Sequence, residues 1–341
     1  MRILAVFLAA VLAGCATIPP PKPTAITESE IRATMAVLAS DSFEGRMAGT
    51  PGGAKTIAYL ADRFRAAGLA NGARGPIPYL DPFVIVARPV RAVPLHPAAP
   101  SAQDVFSGHI ESLGNLTSHN VIGVVHGRHP DGRAVLLMAH WDHLGICAPA
   151  AVDKICNGAI DNASGVAVLV AVAARVAQMR LDRDVWLVAT GAEEWGLLGA
   201  RAFADKPPLL LASIVAGFNL DTIAIAPKGA RVALIAPPHA GLEPLVKLAA
   251  RAMGRGWDGD HEADTFLRRQ DGWALAERGV PMVMAGGSFS DFGKLNAFLH
   301  AAYHQPSDEL RPTTDLGGAT DDANLHVELV RRAASRRFAG R

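Results

Sequence analysis

From residue 119 onward, short apolar runs alternate with helix-length segments, and this alternation narrows the possible folds more than any other feature of the chain. Asn120–His126, Arg133–Ala139, Asp184–Thr190, Ile214–Leu220, Arg231–Ala236 and Val280–Ala285 read as strands. Ser164–Met179, Trp195–Ala204 and Leu242–Met253 read as helices between them, the first of these largely buried. Strands alternating with helices predict a three-layer α/β/α sandwich around a mostly parallel, mixed sheet. Ligands are then expected near the carboxyl ends of the strands. Upstream, Glu28–Ala39 and about 54–67 read as two helices. Between them lie Asp41-Ser42-Phe43-Glu44-Gly45-Arg46 and Gly49-Thr50-Pro51-Gly52-Gly53, and Gly68 ends the second helix. Residues 71–118 are rich in Pro and Gly and read as an irregular excursion with β-like pieces such as Phe83–Val86, too short for a separate domain.

The amino terminus is set apart from this unit. Met1-Arg2 is followed by eleven apolar residues, Ile3 to Ala13, and then Gly14-Cys15. Eleven residues rise about 16 Å as a helix, too little for a hydrocarbon core of about 30 Å. Residues 1–14 therefore read as a signal peptide. Leu12-Ala13-Gly14-Cys15 resembles the bacterial lipobox, which implies cleavage before Cys15 and lipidation of its thiol; an ordinary cleavage site containing Cys is the alternative. Residues 15–26, with Pro19-Pro20-Pro21-Lys22-Pro23, read as an extended tether. Ala16, where a retention signal would place Asp, resembles the outer-membrane sorting pattern. The expected location is the bacterial cell envelope, lipid-anchored at the outer membrane and facing the periplasm or the cell surface. Residues 27–341 are left as one folded unit.

Half of the residues are hydrophobic and 19% are charged, enough to bury a sizeable core. The 33 basic and 32 acidic side chains leave a formal net charge of +1, with no basic run. Nucleic-acid binding is excluded on that ground. With Cys15 lipidated, Cys147 and Cys156 remain. An even remainder in an oxidising compartment suggests a disulfide closing a short loop. A Cys metal site is the rival, though no CxxC pattern supports it.

The chemistry lies in five segments. They are Ala139-His140-Trp141-Asp142-His143-Leu144-Gly145, Gly158-Ala159-Ile160-Asp161-Asn162-Ala163-Ser164-Gly165, Gly191-Ala192-Glu193-Glu194-Trp195-Gly196, Asn219-Leu220-Asp221-Thr222 and Tyr303-His304-Gln305-Pro306-Ser307-Asp308. Each puts a His or a carboxylate just after an apolar run, or at a helix or loop start. Several acids converging there would repel one another, and burying each would cost several kcal/mol unless a cation joined them. Singly, each segment has a plain reading. Glu193-Glu194 suits a helix dipole, and Asp161-Asn162-Ala163-Ser164 suits a helix cap. The ordered set of five is what carries information.

That set resembles the M28 family of co-catalytic zinc peptidases, over roughly residues 28–312. Phe43-Glu44-Gly45-Arg46, Gly49-Thr50-Pro51-Gly52 and Ser118-His119-Asn120-Val121-Ile122-Gly123 share the resemblance. It implies a zinc-exopeptidase-like fold, two Zn2+ ions per chain and peptide substrates. His140 and Asp221 would hold one ion, Glu194 and His304 the other, and Asp161 would bridge both. Nitrogen and oxygen donors without thiolate suit zinc, with cobalt or manganese as substitutes. Asp142 matches the residue that orients the ligating imidazole of His140. Glu193 matches the general base, which takes a proton from water and delivers it to the leaving amine.

One segment departs from the family pattern. Arg269-Gln270-Asp271-Gly272 stands where Arg-Ser-Asp and an aromatic or imidazole residue are usual, so Asp271 matches and Gly272 does not. Other features are expected to be inert. His261-Glu262-Ala263-Asp264-Thr265 lacks the second His of HExxH. His300 is a weaker candidate than His304, and His143 is expected to support the site from behind or to face solvent. The leading function is an anchored aminopeptidase. A glutaminyl cyclase-like or carboxypeptidase-like enzyme on the same fold is the alternative, and a silent binding lipoprotein is a further one.

Overall fold

The computed structural model describes residues 24–85 and 115–340. The expected signal segment, Cys15, nearly all of the tether and the middle of the 71–118 excursion lie outside these residues. The strands are β1 (Ala70–Asn71), β2 (Leu80–Ile85), β3 (Leu116–Val125), β4 (Ala134–His140), β5 (Asp184–Thr190), β6 (Ile214–Asn219), β7 (Ala233–Ile235) and β8 (Met282–Gly286). They form one sheet in the order β1-β3-β5-β4-β6-β8-β7, with β2 also paired to β3. The four inner strands β5, β4, β6 and β8 are parallel, and β3 and β7 flank them antiparallel. The mixed sheet is the expected one. What reads as an irregular excursion in the sequence contributes both ends of an antiparallel pair, β2 on the first part of β3.

Strand β4, Ala-Val-Leu-Leu-Met-Ala-His, is buried at every position because both of its faces are covered. Its side chains alternate between two cores. Val135, Leu137 and Ala139 join the larger core with Ile31, Leu60, Val168, Val246 and Leu329, from helices α1 (Glu28–Leu38), α2 (Pro51–Ala66), α3 (Gly165–Val176), α5 (Glu243–Ala252) and α8 (Gly317–Ala333). Leu136 and Met138 meet Phe203 and Leu275 on the other face, from α4 (Leu198–Asp205) and α6 (Gly272–Ala276). A further helix, α7 (Phe292–Ala301), follows β8. The stretch Ala159–Val176 is long and apolar enough to cross a membrane, yet 83% of it is buried inside the fold, so α3 is the core helix of the larger layer.

Two helix starts differ from the sequence expectation. Helix α2 begins at Pro51 because the Thr50 side chain accepts the Gly53 N–H and proline suits the first helical turn. Helix α4 begins only at Leu198, since Leu197 takes a left-handed backbone (φ 62°) after a turn closed by Gly196 and Leu197 N–H groups on the Glu193 carbonyl. Cys147 and Cys156 are joined as a disulfide, with 5.7 Å between their Cα atoms.

The strand order creates a crevice. From β4 the chain goes to β5 on one side, then crosses to β6 on the other. The segments leaving β4, β5 and β6 therefore meet at the carboxyl ends of the strands, where ligands bind in open α/β sheets.

Candidate metal centre

His140 is the last residue of β4, Glu193 and Glu194 lie just past β5, and Asp221 lies two residues past β6. Asp161 sits in the tight turn Ala159–Ser164 that leads into α3, and His304 follows α7. Five sequence segments thus converge on one spot. Asp161 stands at its centre. Its Oδ1 is 3.3 Å from His140 Nε2, and its Oδ2 is 3.3 Å from His304 Nε2. Asp221 Oδ1 is 3.4 Å from the same His140 nitrogen, and Glu194 Oε2 is 2.9 Å from the same His304 nitrogen. The two sets are the two ligand groups expected from the resemblance, each sharing one oxygen of Asp161. His140, Asp161 and Glu194 also each offer a donor atom within 4.8 Å of the others.

The electrostatics point to a missing positive charge. Burial opposes protonation of His304, yet the Glu194 and Asp161 carboxylates push its pKa up to about 10. Burial likewise opposes charge on His140, but Asp221 and Glu193 hold its pKa well above the ordinary value. Glu194, against its burial, is held down at about 2 by His304 and His143. His304 Nε2 is buried without a hydrogen bond although a carboxylate oxygen lies 2.9 Å away. A bare imidazole nitrogen among carboxylates suits a divalent ion, and this donor set fits zinc.

Glu193 has the opposite environment from its neighbour. It is half-buried, and burial raises its pKa well above the ordinary value; His140 opposes this, and Glu194, Asp271 and Asp221 add to it. Two adjacent glutamates are therefore driven apart, one kept ionised and the other able to hold a proton. Glu193 lines a partly open pocket with His140, Asp161 and Asp221. Phe266, Met284, Phe289, Leu295 and Leu299 contribute apolar lining to the same pocket.

Supporting contacts refine several expectations. Asp142 braces His140 through its main chain: its carbonyl is 3.2 Å from His140 Nδ1, while its Oδ1 is 3.8 Å away and accepts the Glu193 N–H at 3.1 Å. Asp271 is buried, is hydrogen-bonded to the Thr190 hydroxyl and is pushed up to about 7 by burial. Beside it, the Gln270 side chain accepts the Gly272 N–H at 2.7 Å and occupies the space a Gly272 side chain would need. His300 is exposed on α7 with its Nδ1 on the Asn296 carbonyl, and His261 is exposed beside Asp264. Neither belongs to the cluster.

His143 is not solvent-facing. It is fully buried, with Nδ1 2.6 Å from Glu194 Oε1. Two other residues escaped assignment from sequence. Arg46, fully buried, donates to the carbonyls of Leu38, Trp141, Asn157 and Gly158, tying the turn after His140 to the loop before Asp161. Asp308 accepts the N–H groups of Ile160 and Asp161 at 2.9 and 3.0 Å, locking the His304 segment to the Asp161 turn. Both lie in segments with a recognisable pattern, Phe-Glu-Gly-Arg and Tyr-His-Gln-Pro-Ser-Asp, but the pattern does not reveal the contact. Ala192, Thr222 and His304 all have positive φ (55°, 53° and 60°). Backbone held in this region costs of order 1–3 kcal/mol per residue and concentrates at functional sites.

Comparison with known proteins shows the family. The Peptidase family M28 profile matches residues 120–327, well over half of the chain. The chain belongs to peptidase family M28. Aminopeptidase YwaD of Bacillus subtilis is 31% identical over 118 residues, covering 33% of this chain and 24% of YwaD. A probable glutamate carboxypeptidase of Arabidopsis thaliana is 30% identical over 179 residues, covering 51% of this chain and 23% of that protein. These matches span about a quarter of the relatives' length. Among solved structures, a zinc aminopeptidase from Bacillus subtilis superposes with a TM-score of 0.61 at 16% identity, covering 91% of this chain and 96% of the other. At that identity the likeness is one of fold. The M28 match takes in all five segments, with His140, Asp161, Glu194, Asp221 and His304.

Proposed function

We propose that this M28 chain is a zinc-dependent peptidase that removes residues one at a time from peptide amino termini. The observation that carries the reading is the placement of Asp161, with one oxygen towards His140 and the other towards His304. His140, Asp161 and Asp221 would hold one Zn2+, and Asp161, Glu194 and His304 the other. When bound, such a pair polarises a scissile carbonyl and lowers the pKa of a water towards about 7. The residues of the chain supply the rest. Glu193 takes a proton from the attacking water as its oxygen bonds to the carbonyl carbon. Glu193 then passes that proton to the amine as the C–N bond breaks. Its raised pKa favours holding the proton between the two steps. The Asp142 carbonyl orients His140, and the apolar lining from Phe266, Met284 and Leu295 favours an apolar residue at the substrate's reacting end.

A carboxypeptidase-like reading has one observation in its favour. Arg269 also lines the pocket, stacks on Phe266 at 5.4 Å, and has no carboxylate partner among the described residues. A cation there suits a substrate carboxylate. Digestion of a defined peptide library, with and without chelator, separates the readings. Loss of one residue at a time from the amino end, abolished by chelator and reduced ~10²–10⁴-fold in Glu193→Gln with zinc content retained, is expected. Trimming from the carboxyl end would reverse the direction, and chelator-insensitive cleavage would overturn the metallopeptidase.

Export and lipid anchoring on Cys15 complete the proposal, supported by the Cys147–Cys156 disulfide, which belongs to an oxidising compartment. Cys15→Ser should move the protein from the membrane fraction to the soluble fraction. Unchanged membrane association would refute the anchor.

A further inference from the structure

The His140-Trp141-Asp142-His143 segment serves both halves of the centre, and the fourth residue is the one left without a role by the reading above. His143 Nδ1 lies 2.6 Å from Glu194 Oε1, within strong hydrogen-bond distance of a carboxylate. The other oxygen of Glu194, Oε2, faces His304 Nε2 at 2.9 Å. The two oxygens of Glu194 are thus divided between two imidazoles. His143 is farther from the bridging carboxylate, 3.8 Å from Asp161 Oδ2, and its ring meets the edge of the His304 ring at a centroid distance of 5.6 Å. The ring is fixed in place by packing. Gly158 has φ +55°, and a Cβ built there would fall 2.5 Å from His143 Cδ2, so the bare glycine is what admits the imidazole. With Nδ1 donating to Glu194, Nε2 is left buried and unbonded. An imidazole held this tightly, at the expense of one of its own hydrogen bonds, is placed for the sake of the group it touches.

We propose that His143 is a positioning residue for the second zinc ion: by holding Glu194 Oε1 through Nδ1–H, it presents Glu194 Oε2 to the His304 half of the centre. The inference rests on the two-zinc reading and adds to it. His140 and Asp221, on the other half, have no contact of this kind with His143. Loss of the imidazole therefore separates the two ions, whereas a general loosening of the fold would weaken both. Outer contacts to a ligating side chain are typically worth 10–100-fold in metal affinity.

The experiment is a zinc titration of the metal-stripped full chain against a chromophoric chelator, for native protein and for His143→Ala, His143→Asn and His143→Gln, with thermal melts alongside. Native protein should take up two equivalents. His143→Ala should keep one equivalent at native affinity and bind the other ~10–100-fold more weakly. His143→Asn places an amide N–H near the former Nδ1 and should restore the second site. His143→Gln, of similar polarity but with its amide near the former Nε2, should not. Two equivalents at native affinity in His143→Ala, equal weakening of both, or equal behaviour of Asn and Gln would overturn the proposal. Uptake of less than one equivalent by native protein would instead refute the peptidase reading on which it stands.

Discussion

Beside the end of β8, between α5 and α8, Arg255 Nη1 lies 2.5 Å from Asp322 Oδ1, and the same carboxylate accepts the Gly287 N–H with both oxygens. One helical turn further, His326 hydrogen-bonds the Asp322 carbonyl, and burial lowers its pKa to about 4, so it stays neutral. Charge in this cluster is balanced, one cation for one anion, although Arg255 Nη2 and His326 Nε2 are buried without hydrogen bonds. At the carboxyl rim of the same sheet, Asp142, Asp161, Glu193, Glu194 and Asp221 face His140, His143 and His304, and the cationic Arg46 spends its donors on backbone carbonyls. That cluster is short of positive charge. Both are buried, and both would look alike in a count of polar residues in the core. The lesson is that burial of charge marks a ligand site only where the protein leaves the charge uncompensated, because buried ions are otherwise paired.

The comparison can be broken from either side. The larger effect is expected at the balanced cluster. Arg255→Met leaves Asp322 buried without its cation, and removing one partner of a buried pair costs about 3–5 kcal/mol. Chemical denaturation should register that loss while zinc stoichiometry stays native; a neutral outcome would mean that Asp322 is satisfied by the Gly287 N–H alone. The smaller effect concerns the unbalanced cluster and its pH dependence. Asp271 and Asp308 have folded-state pKa values raised to about 7 and about 6, so their stabilising protonated forms are lost as pH rises from about 4 through those values. His304, raised to about 10, contributes stability below about 6.5 that is lost as pH rises through 10. Glu194, depressed to about 2, contributes stability that is fully present above about pH 4.5 and is lost as pH falls towards 2, so it adds no slope between pH 5 and pH 9. Metal-free protein should therefore lose melting temperature steadily between pH 5 and pH 9, and added zinc should flatten that slope by binding the folded state. A metal-free slope no steeper than the zinc-loaded one would show that the rim carries no charge surplus.

Much of the site was legible in the chain. Alternation placed β5 at Asp184–Thr190 to the residue and placed the inner strands within two residues, because largely buried apolar runs bounded by polar turns leave a sharp signal. The helix starts were less legible. Thr50-Pro51 carries a cap and a first-turn proline, but Gly49, Gly52 and Gly53 around it read as a loop; the delayed start of α4 depends on the left-handed Leu197, which no propensity announces. Of strand β2, only the Phe83–Ile85 end showed as β-like among the prolines, and its pairing was not legible because its partner β3 lies far along the chain. His143 shows the limit most clearly. One residue beyond Asp142, it could have pointed to solvent or inward, and the choice depends on the bare Gly158 and on Glu194, fifteen and fifty-one residues away.

By itself the sequence determined the layered α/β architecture and the residue types at the strand ends, since both depend on local periodicity and on which side chains follow each apolar run. Only the tertiary structure decided which carboxylate oxygen faces which imidazole, that Arg46 and Asp308 bind the loops together, and that the Arg255–Asp322 pair is self-contained. Those outcomes depend on distances between segments far apart in the chain, and such distances exist only once the sheet has brought the strand ends together.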